Sequence, residues 1–333
     1  MEKAAVLLAT YNGEKYISEL LRSLETQSYQ DFVCYVHDDG STDGTRKILL
    51  DYVMRAPGKF QILDYPATGS AKANFLSLLE HVEADYYFFA DQDDVWLPNK
   101  ISASLQEMFE LESEEIFLNE QEKARSRDLT PSSYEITTPF LVYHEMVVCD
   151  GAMNMIASNF HDYMGRDPRR LSYQHIMIDN PAAGCSMLIN RPLRDKALEY
   201  TCIEEIEMHD SWIMELAAIF GNIRYMELPL LCYRVHGENE CGVEEMESTK
   251  GRVGRNVSEF MSGKMRRNKK EFHNRLYMAA HQLLQVKDLP ENARKNLQGF
   301  MNLKKRGKIF KMLYYKNHGF TREHHDFWFR MWA

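Results

Sequence analysis

Tyr86-Tyr87-Phe88-Phe89-Ala90-Asp91-Gln92-Asp93-Asp94-Val95-Trp96 is the stretch that decides the fold of this chain. An unbroken apolar and aromatic run enters a cluster of three carboxylates. The run predicts a buried strand. Asp is a poor strand residue, so the acids belong on the loop at the strand's carboxyl end. Like charges this close repel, and burial would drive them to take up protons. A divalent cation, Mg2+ or Mn2+, accepts hard oxygen ligands and removes the conflict. A solvated acidic turn is the plain alternative. The buried strand before the acids and the Trp after them favour the cation.

Upstream, apolar runs alternate with helical periodicity. Residues 4–9 predict a central strand that ends at Thr10-Tyr11-Asn12-Gly13. A helix follows over residues 14–26, with Ile17, Leu20, Leu21 and Leu24 on one face. Residues 32–36 form a second strand running into Asp38-Asp39-Gly40-Ser41-Thr42-Asp43, where Asp43 or Thr42 caps the next helix. Residues 60–63 and a helix over 71–82 complete the series before Tyr86. Strand and helix alternating in this way predict an α/β fold with a parallel sheet flanked by helices. Ligands of such sheets bind at the carboxyl ends of the strands, where residues 10–13, 38–43 and 91–94 would meet. No glycine-rich dinucleotide or phosphate loop follows the first strand.

Downstream, residues 112–138 lose periodicity and predict an exposed insertion. Residues 140–143, 146–148, 182–189 and 224–231 predict further strands, and Asn190-Arg191-Pro192 and Met208-His209-Asp210-Ser211-Trp212 open helices. Residues 166–170 are basic and turn-like. After Gly242 the character changes. From residue 251 onward there are 19 Lys and Arg against 6 Asp and Glu, while the rest of the chain carries 21 against 43. The acidic body argues against nucleic acid as a partner. The basic tail, with its aromatic end at residues 327–332, supports two readings: a peripheral contact with an anionic membrane, or a helical subdomain or oligomer contact. Six scattered cysteines without CxxC spacing are expected to be reduced thiols of a cytoplasmic protein. No apolar run is long enough to span a bilayer, and no secretory signal is expected.

Taken in order, Ala9-Thr10-Tyr11-Asn12-Gly13, Asp38-Asp39-Gly40-Ser41-Thr42-Asp43 and Asp91-Gln92-Asp93-Asp94-Val95-Trp96 resemble family 2 glycosyltransferases. The Asp-Gln-Asp-Asp-Val-Trp variant looks like the rhamnosyltransferase-like branch of bacterial surface-polysaccharide synthesis. Gly184-Cys185, His209-Asp210-Ser211-Trp212 and Tyr233-Arg234-Val235-His236-Gly237 also resemble that branch. The similarity covers roughly residues 3–240 in the ordered sense of a motif series.

The resemblance implies a GT-A fold with a Rossmann-like mixed sheet. Residues 1–242 would form the glycosyltransferase domain, with 1–100 its nucleotide-binding half and 140–242 its acceptor-binding half. Residues 243–333 would be a basic helical extension. It further implies a UDP- or dTDP-sugar donor, a saccharide or lipid-linked acceptor, Mn2+ or Mg2+, and inversion at the anomeric carbon. Thr10, Tyr11, Asn12, Asp39, Lys72, Asn74 and Asp91 would bind the nucleotide. Asp93, Asp94 and His236 would hold the metal. Asp210 would be the general base, and Gly184, Cys185, His209 and Trp212 would meet the acceptor. Two other functions share parts of this pattern: a sugar nucleotidyltransferase, which needs a glycine-rich basic loop after the first strand, and a non-catalytic nucleotide-sugar-binding scaffold.

Overall fold

The computed structural model describes residues 3–126, 136–199, 202, 205–236 and 264–321. Among these, nine strands make one mixed sheet. The strands β1 (Ala4–Thr10), β2 (Phe32–Asp38), β3 (Phe60–Ile62) and β4 (Tyr86–Asp91) are parallel, in the spatial order β3-β2-β1-β4. The helices α1 (Ile17–Glu25), α2 (Thr45–Arg55) and α3 (Ala71–His81) connect them. Beyond β4 the sheet continues through β8 (Met187–Asn190), β6 (Phe140–Cys149), β9 (Asn222–Arg234) and β5 (Val95–Trp96), with β7 (Met155–Ala157) also paired to β6. β8 is antiparallel to both β4 and β6, whereas β6 and β9 are parallel.

The period of two along a strand divides the core. Ala5, Leu7 and Ala9 of β1, with Tyr87 and Phe89 of β4, face α3, α7 (Arg191–Leu198) and α8 (His209–Phe220). Ala4, Val6 and Leu8, with Tyr86, Phe88 and Ala90, face α1, α2 and α4 (Lys100–Ser126). α1 buries Ile17, Leu20, Leu21 and Leu24 as its periodicity requires, each worth roughly 1.5–3 kcal/mol. Gly44, not Asp43 or Thr42, stands at the N-cap of α2, and Asp43 before it accepts from the Thr45 backbone N–H at 3.0 Å. Three helices, Lys264–Gln285, Glu291–Asn302 and Lys308–Asn317, pack on the α3/α7/α8 side, where Leu276, Ala280, Leu283 and Leu297 join the same core.

Three expectations need correction. Residues 112–126 are not an insertion: α4 runs on to Ser126. Its charged residues find partners in place of an apolar stripe. Glu112 is buried and accepts from the Tyr86 hydroxyl at 2.8 Å, while Glu114 pairs with Arg224 of β9 at 2.6 Å. Residues 127–135 lie outside the described residues. The strand expected over 182–189 starts only at Met187, because Gly184–Ser186 forms a 3-10 turn. Residues 140–143 and 146–148 belong to one strand, β6, instead of two. Gly237, Cys241, the change of character at Gly242, most of the basic stretch after it and the aromatic residues 327–332 fall outside the described residues. No helix of the described residues is long and apolar enough to cross a membrane.

Gly221 joins α8 to β9 at a close backbone crossing. A Cβ there would stand 1.7 Å from the Pro139 carbonyl oxygen. That oxygen already accepts from the Asn222 N–H, so it is fixed. Gly221→Ala is expected to lose about 1–3 kcal/mol, read as a lower urea midpoint at unchanged slope.

Candidate active site

The three polar loops converge at the carboxyl edge of the parallel strands, and they are hydrogen-bonded to one another. Thr10 Oγ1 donates to Asp38 Oδ1 at 2.9 Å. The Tyr11 N–H donates to Gln92 Oε1, and Gln92 Nε2 returns to the Tyr11 carbonyl, both at 2.9 Å. Asn12 adopts a left-handed φ of 47° and is held by Ser41 and Thr42. Gly13 cannot carry a side chain, because a Cβ would stand 2.2 Å from Gln92 Oε1. The Tyr11 ring, 57% exposed, is left free beside this joint.

The remaining nucleotide-side candidates divide by burial. Asp39 accepts from the Thr68 hydroxyl at 3.0 Å and the Gly69 N–H at 2.9 Å, fixing the loop before α3 at the pocket rim. The Lys72 amine donates to the Ile206 carbonyl, tying α3 to the segment before α8. Asn74 lies beneath the edge. It is buried, and its amide is taken up by His37 at 2.9 and 3.2 Å.

The acidic turn splits into outward and inward carboxylates. Asp91 and Asp93 are partly exposed, whereas Asp94 is buried. Asp93 Oδ2 and His236 Nε2 face each other at 2.7 Å, and the His236 ring stacks on Tyr16. Asp94 Oδ1 accepts the Arg234 N–H at 3.0 Å. Ligand atoms of Asp91, Asp94 and Cys185 lie within 4.8 Å of one another. Burial, with the charges of Asp93 and Asp91 added, pushes the Asp94 carboxyl well up. The carboxylates of Asp91 and Asp94, with Asp93 and His236 beside them, are donors of the kind a hard divalent cation accepts. Asp94 turns inward, where its carboxylate groups with Asp91 and Cys185.

On the acceptor side, Asp210 opens α8 and is buried. Burial raises its carboxyl to about 6, against opposing hydrogen bonds from Ser211 and Gly184 and the charge of Arg166. Gly184 packs against this helix start. A Cβ there would fall 2.6 Å from His209 Nε2. His209 is buried on Phe75, its ring centroid 4.2 Å away, and burial lowers it to about 3. Trp212 faces the core instead of the edge, and its indole N–H donates to the Ala197 carbonyl at 3.1 Å. The turn at 184–185 therefore joins the two halves. Gly184 lies against Asp210, and Cys185 lies against Asp91 and Asp94.

Two supporting residues escaped the sequence analysis. The buried Arg234 guanidinium donates to the carbonyls of Asp93 and Gly151, each at 2.7 Å, and to Glu19 Oε2 at 2.6 Å. The buried Lys100 amine donates to the Cys185 carbonyl and lies 3.7 Å above the Trp96 ring. Burial pushes it down to about 7, against the pull of Cys185, Asp94 and Asp91. Charged residues locked into otherwise apolar surroundings were the available signal: Lys100 just before Ile101, and Arg234 just after Tyr233. A third buried group, Glu145, accepts from His161 Nδ1 at 2.7 Å and the Tyr225 hydroxyl at 2.8 Å, bracing β6 and β9 below the edge.

Residues 5–157 match the family model "Glycosyl transferase family 2". The chain is similar to that family over this stretch, which is less than half of its length. It is 37% identical over 102 residues to dTDP-rhamnosyl transferase RfbG of Shigella flexneri, covering 29% of this chain and 35% of that protein. It is 38% identical over 96 residues to the poly(ribitol-phosphate) beta-N-acetylglucosaminyltransferase TarS of Staphylococcus aureus, covering 28% of this chain and 17% of TarS. These matches thus span about a third or less of the relatives' length. The crystal structure of S. aureus TarS residues 1–349 in complex with UDP superposes with a TM-score of 0.54 at 18% identity, covering 90% of this chain and 71% of that one. The fold is GT-A, a mixed sheet flanked by helices.

Arg234 is expected to be the brace of the acidic turn. Arg234→Met should cost roughly 2–3 kcal/mol in urea unfolding, because the Asp93 and Gly151 carbonyls lose a charged donor while Glu19 rehydrates. Arg234→Lys should recover less than half, since one amine cannot serve three separated acceptors.

Proposed function

We propose that this chain is a metal-dependent, inverting glycosyltransferase that moves a sugar from a UDP- or dTDP-sugar to a saccharide or lipid-linked acceptor in bacterial surface-polysaccharide synthesis. The observation that carries the proposal is the turn at Gly184-Cys185. It sets the buried Asp210 carboxyl on one side and the Asp91–Asp94 turn on the other. A general base and a diphosphate site must flank one sugar in a single-step displacement.

In this proposal the exposed Tyr11 ring covers the base, and Asp39, at the rim, receives a hydrogen bond from it. Thr10, Asn12 and Asn74 hold the loops that shape the pocket, and Lys72 adds a positive charge. Asp91, Asp93 and His236 hold Mg2+ or Mn2+, which when bound offsets the negative charge growing on the departing diphosphate. Asp210 takes the proton from the acceptor hydroxyl. The acceptor oxygen then bonds to the anomeric carbon as the bond to the diphosphate oxygen breaks on the opposite face, and the configuration inverts. Gly184, Cys185 and His209 floor the acceptor side. Residues 1–242 form the transferase unit, with 1–100 and 140–242 its two halves and 243–333 its extension. The likeness to RfbG and to TarS supports dTDP-rhamnose and UDP-sugars as the first donors to assay. Action at the cytoplasmic face of the cell membrane belongs to the same proposal.

A thermal-shift panel of UDP, dTDP, GDP and CDP with Mg2+, Mn2+ or EDTA tests the donor site. Metal-dependent stabilisation by UDP or dTDP is expected, because a ligand of the folded state raises its stability. Asp93→Ala should abolish it. No stabilisation by any nucleotide would overturn the proposal.

The base has a signature in pH. Asp210 must be deprotonated to act, so kcat/KM is expected to fall as the pH drops below about 6. Asp210→Asn should lower kcat by about 10²–10⁴-fold and remove that limb. Stability should move the other way. Folded Asp210 binds its proton more tightly than the unfolded chain, whose carboxyl titrates near 3.8, so its contribution to stability grows as the pH falls from about 6 towards 4. Urea unfolding of wild type and Asp210→Asn across that window should show the difference.

A further inference from the structure

The helix Lys308–Asn317 is apolar on two opposite sides. Its inward side carries Tyr315, fully buried and stacked on Phe300 at 5.7 Å, with Phe320 at 5.9 Å. Its outward side carries Ile309, Phe310 and Leu313, which are 76%, 50% and 54% exposed. Ile309 and Leu313 are four apart, so they share one stripe, and Phe310 lies beside it. A helix packed on a core by one face ordinarily presents polar residues on the other. Here three large apolar side chains stand there together.

The surroundings of this stripe have a single sign of charge. Residues 292–321 contain eight Lys and Arg and no Asp or Glu. Lys304, Lys305, Arg306 and Lys308 precede the stripe and Lys316 follows it, all exposed. Arg306 lies 5.2 Å from the Phe310 ring, with its charged head beside the apolar surface. Apolar side chains that enter the headgroup boundary, ringed by cations that reach phosphates, are what an anionic bilayer binds. A second copy of the chain seated face to face would bring these like charges together.

We propose that the helix Lys308–Asn317, with the basic turn before it, is a docking face for an anionic lipid bilayer. Ile309, Phe310 and Leu313 insert at the headgroup boundary, and the surrounding Lys and Arg bind lipid phosphates. A stripe of three side chains is small, so binding depends on both the apolar contact and the lipid charge. This proposal does not require the transferase assignment, and its test uses neither nucleotide nor acceptor.

The test is co-sedimentation of the full chain with vesicles of phosphatidylcholine alone or with phosphatidylglycerol added. Binding is expected only with phosphatidylglycerol, and it should weaken with salt. The triple variant Ile309→Ser/Phe310→Ser/Leu313→Ser should bind at least about tenfold more weakly. Its urea midpoint should match wild type, because all three side chains are exposed. Phe310→Trp gives a second readout: the difference in emission between the variant and wild type should shift to the blue on phosphatidylglycerol vesicles. Absence of lipid-dependent sedimentation would overturn the proposal. So would unchanged binding by the triple variant, or an unshifted Trp. Light scattering supplies the remaining outcome. A wild-type dimer that the triple variant breaks, without lipid binding, would give this face to a second copy instead.

Discussion

Three carboxylates at the end of one strand are the constraint on which the site depends. Asp91, Asp93 and Asp94 cannot all stay ionised and close without compensation. The fold answers on three sides. Arg234 clamps the turn's backbone from β9, while Lys100 brings a buried amine to the neighbouring Cys185 carbonyl. Asp94 turns inward to the Arg234 N–H. What remains outward is Asp91 and Asp93, with His236 at hydrogen-bonding distance from the latter. Arg234 and Lys100 thus meet backbone carbonyls on the inner side, while Asp91 and Asp93 stay partly exposed. This division explains why charges are buried here at all. A buried ion pair is seldom a net source of stability, but it fixes geometry.

That geometry is shared among loops distant in sequence. Tyr11 and Gln92 exchange two hydrogen bonds, Asn12 reaches Ser41 and Thr42, and Asp39 reaches Thr68 and Gly69. Each loop follows a parallel strand, so the sheet delivers all of them to one edge, and side-chain amides and carboxylates then lock them in place. The Asn12 backbone, in a region that costs most residues energy, persists because both its N–H and its side chain are held.

The first half of the chain was legible because its signals are local. Apolar runs, a period near 3.6, caps and turn residues fix β1 to β4 and α1 to α3 within a few residues. Asp91, Asp93 and Asp210 were legible as charged residues at the ends of such elements. The rest depended on contacts across long separations. The continuation of α4 rests on Glu112 meeting Tyr86 and Glu114 meeting Arg224, neither of which a short window contains. Gly184 of the 3-10 turn lies against His209, twenty-five residues later, where a side chain would meet the imidazole. The inward orientation of Trp212 and the burial of Asn74 follow from the Ala197 carbonyl and from His37. A residue type states which chemistry is available, and only packing states which direction it faces.

The start of α8 shows how packing sets chemistry at a distance. Three side chains grip the residues just before it. Lys72 of α3 donates to the Ile206 carbonyl, Arg275 of the helix Lys264–Gln285 pairs with Glu207 at 2.7 Å, and Gln282 donates to the Glu205 carbonyl. The segment leading to Asp210 is therefore held both by α3 and by the helices that follow the sheet. A carboxyl raised to about 6, as that of Asp210 is, needs dry surroundings. Leu276, Ala280 and Leu283 of the first of these helices belong to the same core as Trp212 and Ile213. The C-terminal helices thereby act on the site without touching it, by fixing the point from which α8 begins.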